Sequence, residues 1–427
     1  MIDPPSCMEV TVNNDILWIK SRMPGVVTDG SSLVSTGLMS CLQNDHAIDL
    51  LCLRLTSREE AQAAELSCPF RDVFVADTDN AGGLARRIGY RLGYSLRSEL
   101  TSTPRSVFYE SGRRSRALLE RVLAERRYRR IIAEYYTVAP LLAGLESQTS
   151  LVLHDADHVT IDLEASQEPS LPRRAWLHHR AAHMRAFVER IVPRFASVLT
   201  LTPFDRQAYE ARGIERIQSL DVPLPDLPAQ LPTLVGESIA FLGSVDYTPN
   251  RDALAWFLAD IFPAVLKRYP AARVQVFGGG NRRGLSSPNV EWLGRVPQGE
   301  FARALGGAAL GIAPIRLGTG VKVKVLDMMW HGLPVVSTSL ASRGTPAEDG
   351  AALIADTPAT FAEAVCELLG SRARRLELQG ASQKLLFERH ASPAARASVA
   401  RKLLGWADAS AHPLTPLEAR SLCGSPS

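Results

Sequence analysis

Short apolar runs alternate along the chain with longer stretches whose apolar positions recur every three or four residues. The runs are DILWI (15–19), AIDLLCL (47–53), DVFVA (72–76), RIIAEYY (130–136), SLVLHD (150–155) and SVLTLT (197–202). Amphipathic segments at 83–98, 113–126 and 173–193 lie between them. Strands that alternate with helical patterns predict β-α-β units and a parallel sheet. Residues 221–235, DVPLPDLPAQLPTLV, break the rhythm. Their four prolines exclude helix and central strand, so this segment is expected to be an extended, exposed linker. The pattern then restarts with strands at 238–244, 272–280, 290–294, 310–315 and 334–339. Helices are predicted at 250–268, 321–331, 358–369, 372–388 and 391–405. The fold class is α/β, with two doubly wound parallel-sheet domains. The boundaries expected are 1–222 for the first, 223–236 for the linker and 237–390 for the second. A C-terminal helix at 391–408 is expected to pack back on the first domain, ahead of a loose tail at 409–427.

The 427 residues suit two domains of ordinary size. A net charge of +3 is too small to mark a nucleic-acid binder, and no aromatic-interleaved basic motif is present. Cys7, Cys41, Cys52, Cys68, Cys366 and Cys423 form no CxxC pair and match no zinc spacing. The expectation is a reducing, cytoplasmic setting with no metal and no cofactor. No apolar stretch long enough to span a bilayer occurs, and the N-terminus lacks the charge and apolar core of a secretory signal.

The densest chemistry lies in GIAPIRLGTGVKVKVLDMMWHGLPVVSTS (311–339). It reads as strand, glycine loop, helix and strand. Gly318 and Gly320 let the backbone approach an anion, and the amides that open the helix at Thr319, Gly320 and Val321 then point at it. Lys322 and Lys324 sit in that first turn, where they oppose the helix dipole unless an anion is bound. Asp327, one turn on, is within reach of two ribose hydroxyls. The competing reading is that these are solvated charges on an ordinary helix.

This stretch resembles the donor segment of the group 1 retaining glycosyltransferases, the family related to glycogen synthase and bacterial mannosyltransferases. The family pattern reads G-x-G-x-(K/R)-x-K-x-(L/V)-E-A-M-A-x-G-x-P-V-V, and the chain has GTGVKVKVLDMMWHGLPVV. GSVDYTPNRDALAWF (243–257) resembles the same family's first strand-loop-helix of that domain. The resemblance implies two Rossmann-like domains facing a central cleft, the GT-B fold. It also implies transfer of a sugar from a nucleoside-diphosphate donor to a glycan or lipid-linked acceptor, with retention and without a metal. Carried over residue by residue, the donor site would take Ser244, Asn250, Arg251, Gly318, Thr319, Gly320, Val321, Lys322, Lys324 and Asp327. Asp29 and Gly30 would face it from the first domain. His154, at the end of an apolar strand, would contact the donor sugar, with Lys324 and Asp327 completing the catalytic set. Three departures stand out. Asp327 replaces a Glu, Thr319 replaces a Glu that contacts the sugar, and the usual Arg/Lys pair after the first strand is missing.

Arginine clusters at 113–130 and 173–185 suit either a solvated helix face or peripheral contact with the inner face of a membrane. A zinc site on His154 and His158 lacks a third ligand. Two other functions share the architecture: a nucleotide-sugar epimerase, and a non-catalytic nucleotide-sugar-binding subunit.

Overall fold

The computed structural model describes residues 15–24, 30–54, 70–76, 84–285, 287–296 and 298–405. Among these residues two parallel sheets form. The first comprises β1 (Ile16–Arg22), β2 (Ile48–Arg54), β3 (Asp72–Val75), β4 (Arg130–Glu134), β5 (Thr149–Leu153), β6 (Ser197–Thr200) and β7 (Ile217–Ser219), in the order β3-β2-β1-β4-β5-β6-β7. The second comprises β8 (Ser238–Leu242), β9 (Arg273–Phe277), β10 (Val290–Gly294), β11 (Leu310–Ala313), β12 (Val335–Ser337) and β13 (Leu353–Ile354), in the order β10-β9-β8-β11-β12-β13. The order reverses between β1 and β4 and again between β8 and β11. Each reversal opens a crevice at the carboxyl ends of the strands.

The apolar runs are continuous because helices cover both faces of each sheet. In β1, Ile16 and Trp18 enter one core while Leu17 and Ile19 enter the other, and none of the four is exposed. The helix expected at 250–268 spans Thr248–Trp256, a π turn at Phe257–Ile261, and Phe262–Arg268. The π turn falls just before Pro263, which removes one donor from the helical ladder. Edge strands β7 and β13 and the helices Arg105–Glu110, Asp157–Gln167, Pro203–Glu210 and Gln298–Leu305 were not anticipated.

The proline-rich segment is extended and its middle, 225–233, is exposed or half-buried as expected, but both flanks are anchored in the protein. Val222, Leu224 and Leu234 are buried. Its carbonyls accept hydrogen bonds from the second domain: Val222 from His390 Nδ1 (2.8 Å), Leu234 from Arg375 Nε (3.1 Å) and Pro225 from Trp330 Nε1 (3.3 Å). Prolines leave a segment rich in acceptors and poor in donors, and side-chain donors supply the deficit. The helix Pro393–Leu404 returns to the first sheet, where the Leu403 carbonyl accepts from Ser150 Oγ (2.7 Å) and Lys402 Nζ donates to the Ser219 carbonyl (2.8 Å).

In the 113–130 cluster Arg113, Arg114 and Arg121 are exposed on their helix, as the solvated-face reading expects, but Arg126 and Arg130 are not part of such a face. Arg126 pairs with Asp49 (2.8 Å) and Asp72 (2.5 Å), and Arg130 is buried and donates to Ser150 (3.1 Å). Asp49 also accepts from Arg71 (2.6 Å) and Tyr128 (2.6 Å), so these cations hold the sheet together. Cys41, Cys52 and Cys366 are free thiols; the other three cysteines lie outside the described residues.

Candidate donor site and interdomain gap

The glycine loop leaves β11 and enters the helix Val323–Trp330, with Lys322 at its N-cap. Lys324 lies in the first turn and turns toward the end of β8. Its Nζ donates to Asn250 Oδ1 and stands 3.0 Å from where a Cβ on Gly243 would sit. Asn250 Nδ2 in turn donates to the Ser244 carbonyl (2.9 Å). Among the described residues no carboxylate lies within ion-pair distance of Lys324. Burial, reinforced by the charge of Lys322, pushes its pKa down to about 7. The amides of Val321, Lys322 and Lys324 find no protein acceptor among the described residues. Arg251 points elsewhere, and its guanidinium donates to the carbonyls of Asn281 (2.6 Å) and Arg283.

The first domain closes over the other side of this loop. Thr319 N donates to Thr160 Oγ1 (3.0 Å), and its own hydroxyl accepts from Ala156 N (2.9 Å). Gly320 N donates to Asp205 Oδ1 (3.1 Å). These two amides, expected in an anion cradle, are thus taken by the first domain. Gly320 has φ +75°, and a Cβ there would collide with the Asp155 carboxylate and stand 2.7 Å from the His154 carbonyl. Only glycine permits this approach. Gly30 also comes near, 3.0 Å from Val323 Cβ if it carried a Cβ; Asp29 lies outside the described residues.

Lys322 differs from Lys324 in its surroundings. Its Nζ donates to the Gly320 carbonyl (3.2 Å) and faces Asp155 and Asp205. Burial drives the Asp155 carboxyl up to about 7, with the Asp157 charge adding to it and Lys322 opposing. Burial also raises Asp157 and Asp205. Two of these acids, Asp155 after β5 and Asp205 at the start of the Pro203–Glu210 helix, therefore face Lys322 of the second domain, while Asp157 bonds Tyr136.

His154 directly follows β5 and is buried. Its Nε2 bonds Glu134 Oε2 (2.8 Å), and its ring stacks on Tyr135 at 4.2 Å. Glu134 also accepts from Lys20 (2.9 Å), Ser35 (2.7 Å) and Trp18 Nε1 (2.7 Å). Burial alone would raise the Glu134 pKa, but the Lys20 charge and the His154 hydrogen bond hold it well below the usual range. Tyr135 follows at φ +72°, strained for a residue with a Cβ, and its hydroxyl donates to Ser31 Oγ (2.8 Å). Sequence reasoning missed Glu134, Lys20, Ser35 and Tyr135. The available signal was a polar residue ending an apolar strand that leads to the crevice.

Asp327 is half-buried, and one of its carboxylate oxygens lies 3.3 Å from His331 Nδ1. His158 packs against Tyr209 (5.3 Å), and burial lowers its pKa to about 4. His154 is held by Glu134, so the two histidines do not share a metal position.

Residues 236–371 match the family Glycosyl transferases group 1. That match falls within the second domain, and the whole chain takes the two-domain GT-B fold. An uncharacterized 44.6 kDa protein in the cps region of Klebsiella pneumoniae is 30% identical over 128 residues. That match spans 27% of this chain and 33% of the relative. S. aureus TarM, solved with UDP, superposes with a TM-score of 0.63 at 10% identity, covering 92% of this chain and 100% of that one. Anabaena HepE, solved with UDP and glucose, gives 0.58 at 12% identity, over 91% and 99%. WaaG, a glycosyltransferase involved in lipopolysaccharide biosynthesis, gives 0.55 at 14% identity, over 91% and 100%. At these identities the structural likeness is one of fold.

Proposed function

We propose that the protein transfers a sugar, with retention, from a nucleoside-diphosphate donor to a hydroxyl of a glycan or lipid-linked saccharide. The observation that carries this reading is Lys324: a half-buried ammonium without a counter-ion among the described residues, at a helix N-terminus that also offers three amides without acceptors among them. A diphosphate supplies the missing charge. The β8 loop at Gly243 and Ser244 would carry its far side, and Asp327 the ribose.

Bond breaking places charge on the leaving diphosphate, and Lys324 with the helix amides would stabilise it there. His154, oriented by Glu134 and Tyr135, would stand on the first-domain side near the transferred sugar. Closure of the first domain on Gly320 would exclude water, which otherwise competes with the acceptor. UDP in the TarM and HepE structures makes a uridine donor the first choice. The lipopolysaccharide role of WaaG and the cps-region relative favour a cell-surface glycan as acceptor. No helix among the described residues is long and apolar enough to cross a membrane. A peripheral contact would rest on exposed Leu171 and Trp176, with Arg180 stacked on that tryptophan at 4.7 Å.

A second reading, a binding subunit without turnover, draws on Thr319. The residue in the place of the family's sugar-contacting Glu is spent on Ala156 and Thr160. The test is a thermal-shift panel of nucleoside diphosphates and their sugars, followed by transfer assays with Lys324→Ala. Loss of one charged hydrogen bond, about 1.5–3 kcal/mol, lowers the rate roughly ten- to hundredfold. Absence of any stabilising nucleotide at millimolar concentration refutes donor binding. Binding without transfer to any acceptor favours the subunit reading.

A further inference from the structure

Away from the gap, two histidines one turn apart on the helix Leu171–Ile191 meet an acid of the helix Leu84–Thr101. His179 Nε2 lies 2.7 Å and His183 Nε2 3.7 Å from Glu99 Oε2. One ligand atom from each residue lies within 4.8 Å of the other two, and the imidazole rings are 4.2 Å apart. We infer that Glu99, His179 and His183 form a binding site for a divalent transition-metal ion, with zinc the best match.

The donor set and spacing fit that chemistry. Two imidazole nitrogens and one carboxylate oxygen are ligands that zinc accepts, and ligand atoms around a tetrahedral ion stand about 3.3 Å apart, given bonds of roughly 2.0–2.1 Å. The Glu99–His183 gap is close to that separation already. The Glu99–His179 hydrogen bond opens by about half an ångström as the metal replaces the proton. Histidines at i and i+4 share a helix face, so the helix pre-arranges two of the three ligands. Glu99 and His179 are about half exposed, which leaves the fourth position to water and gives the ion a path in.

The helix pair is fixed independently just beyond the site. Arg190 donates to the Thr101 carbonyl (3.1 Å) and to Thr103 Oγ1 (3.0 Å). His179, His183 and Arg190, at i, i+4 and i+11, form one stripe of their helix that contacts residues 99–103. The ion thus cross-links two helices of the first domain. It is separate from the donor site and takes no part in transfer.

The experiment uses the untagged full-length chain, stripped with a chelator and titrated with zinc chloride alone by calorimetry. One zinc per chain at micromolar affinity is expected, with a melting temperature a few degrees higher. Cobalt in its place should give the visible absorption of a four- or five-coordinate centre. His179→Gln/His183→Gln should abolish binding, Glu99→Gln should weaken it at least tenfold, and the neighbouring His178→Gln should leave it unchanged. Glu99 and His179 lie on the surface and His183 is half-buried, and circular dichroism checks that each variant folds. No zinc uptake by the unaltered chain, or the same uptake by the double variant, overturns the site.

Discussion

Lys324 gives the proposed donor site a pH signature. Its pKa of about 7 in the free protein reflects burial and the nearby Lys322 charge, with no acid to oppose them. A bound diphosphate would supply that opposition and return the pKa toward the ordinary lysine value, so binding takes up a proton. A nucleotide sugar is the right probe, because its diphosphodiester keeps a constant charge in this range. Affinity should then fall as 1 + 10^(pH − 7), roughly tenfold between about pH 6 and pH 8, with the pKa at about 7. For stability the sign is opposite. Between about 7 and the ordinary 10.5 the folded chain holds fewer protons at Lys324 than the unfolded chain does, so this group's contribution rises with pH through that window. Asp155, also raised to about 7, ionises in the same range and adds repulsion to the fall in affinity. Calorimetry in buffers of different ionisation enthalpy counts the protons. Near pH 8 uptake should approach one per donor, Lys324→Gln should remove it, and Asp155→Asn should retain most of it. An affinity flat from pH 6 to 8, or undiminished uptake in Lys324→Gln, refutes the reasoning.

Three further outcomes follow from the contacts around the gap. Glu134→Gln leaves Lys20 buried beside a neutral partner and should lower unfolding free energy by about 3–5 kcal/mol in urea titration; a loss under about 1 kcal/mol contradicts the network. Because Glu134 is held below the usual range, its contribution is present above the ordinary 4.5 and is lost as pH falls toward the lower folded value, so the variant should lose that part of the acid sensitivity. Gly320→Ala should prevent closure and lower turnover at least tenfold at nearly unchanged melting temperature, and Asp155→Ala in the same chain should restore part of it; full activity of the single variant would show that the approach is not needed. Lys322→Met should enlarge the radius of gyration in small-angle scattering without weakening donor affinity more than about twofold, whereas an unchanged radius would remove Lys322 from closure.

Much of this architecture is legible in the sequence because parallel strands buried on both faces write themselves as continuous apolar runs. Every long run became a strand at nearly the expected bounds. The strands that escaped, β7 and β13, are two- and three-residue edges with no run long enough to carry a pattern. The linker shows another limit. Its prolines declare the backbone shape, but the donors that bury it come from His390, Arg375 and Trp330, far along the chain. The residues proposed for the donor side could be named from the sequence because their spacing is local to one loop and one helix turn. Glu134 was not, since its partners Trp18, Lys20, Ser35 and His154 converge on it from three other elements.

Two lysines of one motif, two residues apart, look equivalent as sequence, and the tertiary setting separates them. Lys324 is turned toward β8 and faces Asn250, with no acid nearby. Lys322 is turned across the gap toward Asp155 and Asp205. A charge with only an amide oxygen for a partner favours an anionic ligand, whereas a charge already facing carboxylates favours the contact that brought them together. The amides divide the same way: Thr319 and Gly320 donate to Thr160 and Asp205, while those of Val321, Lys322 and Lys324 stay open. One short segment therefore presents its first half to the opposite domain and leaves its second half open to the proposed anion. An electrostatic change on either side is felt by the other across a single turn of backbone. On the proposed function, that proximity would tie donor occupancy to domain closure with no intervening element, because the helix that would hold the diphosphate begins where the first domain makes its contact.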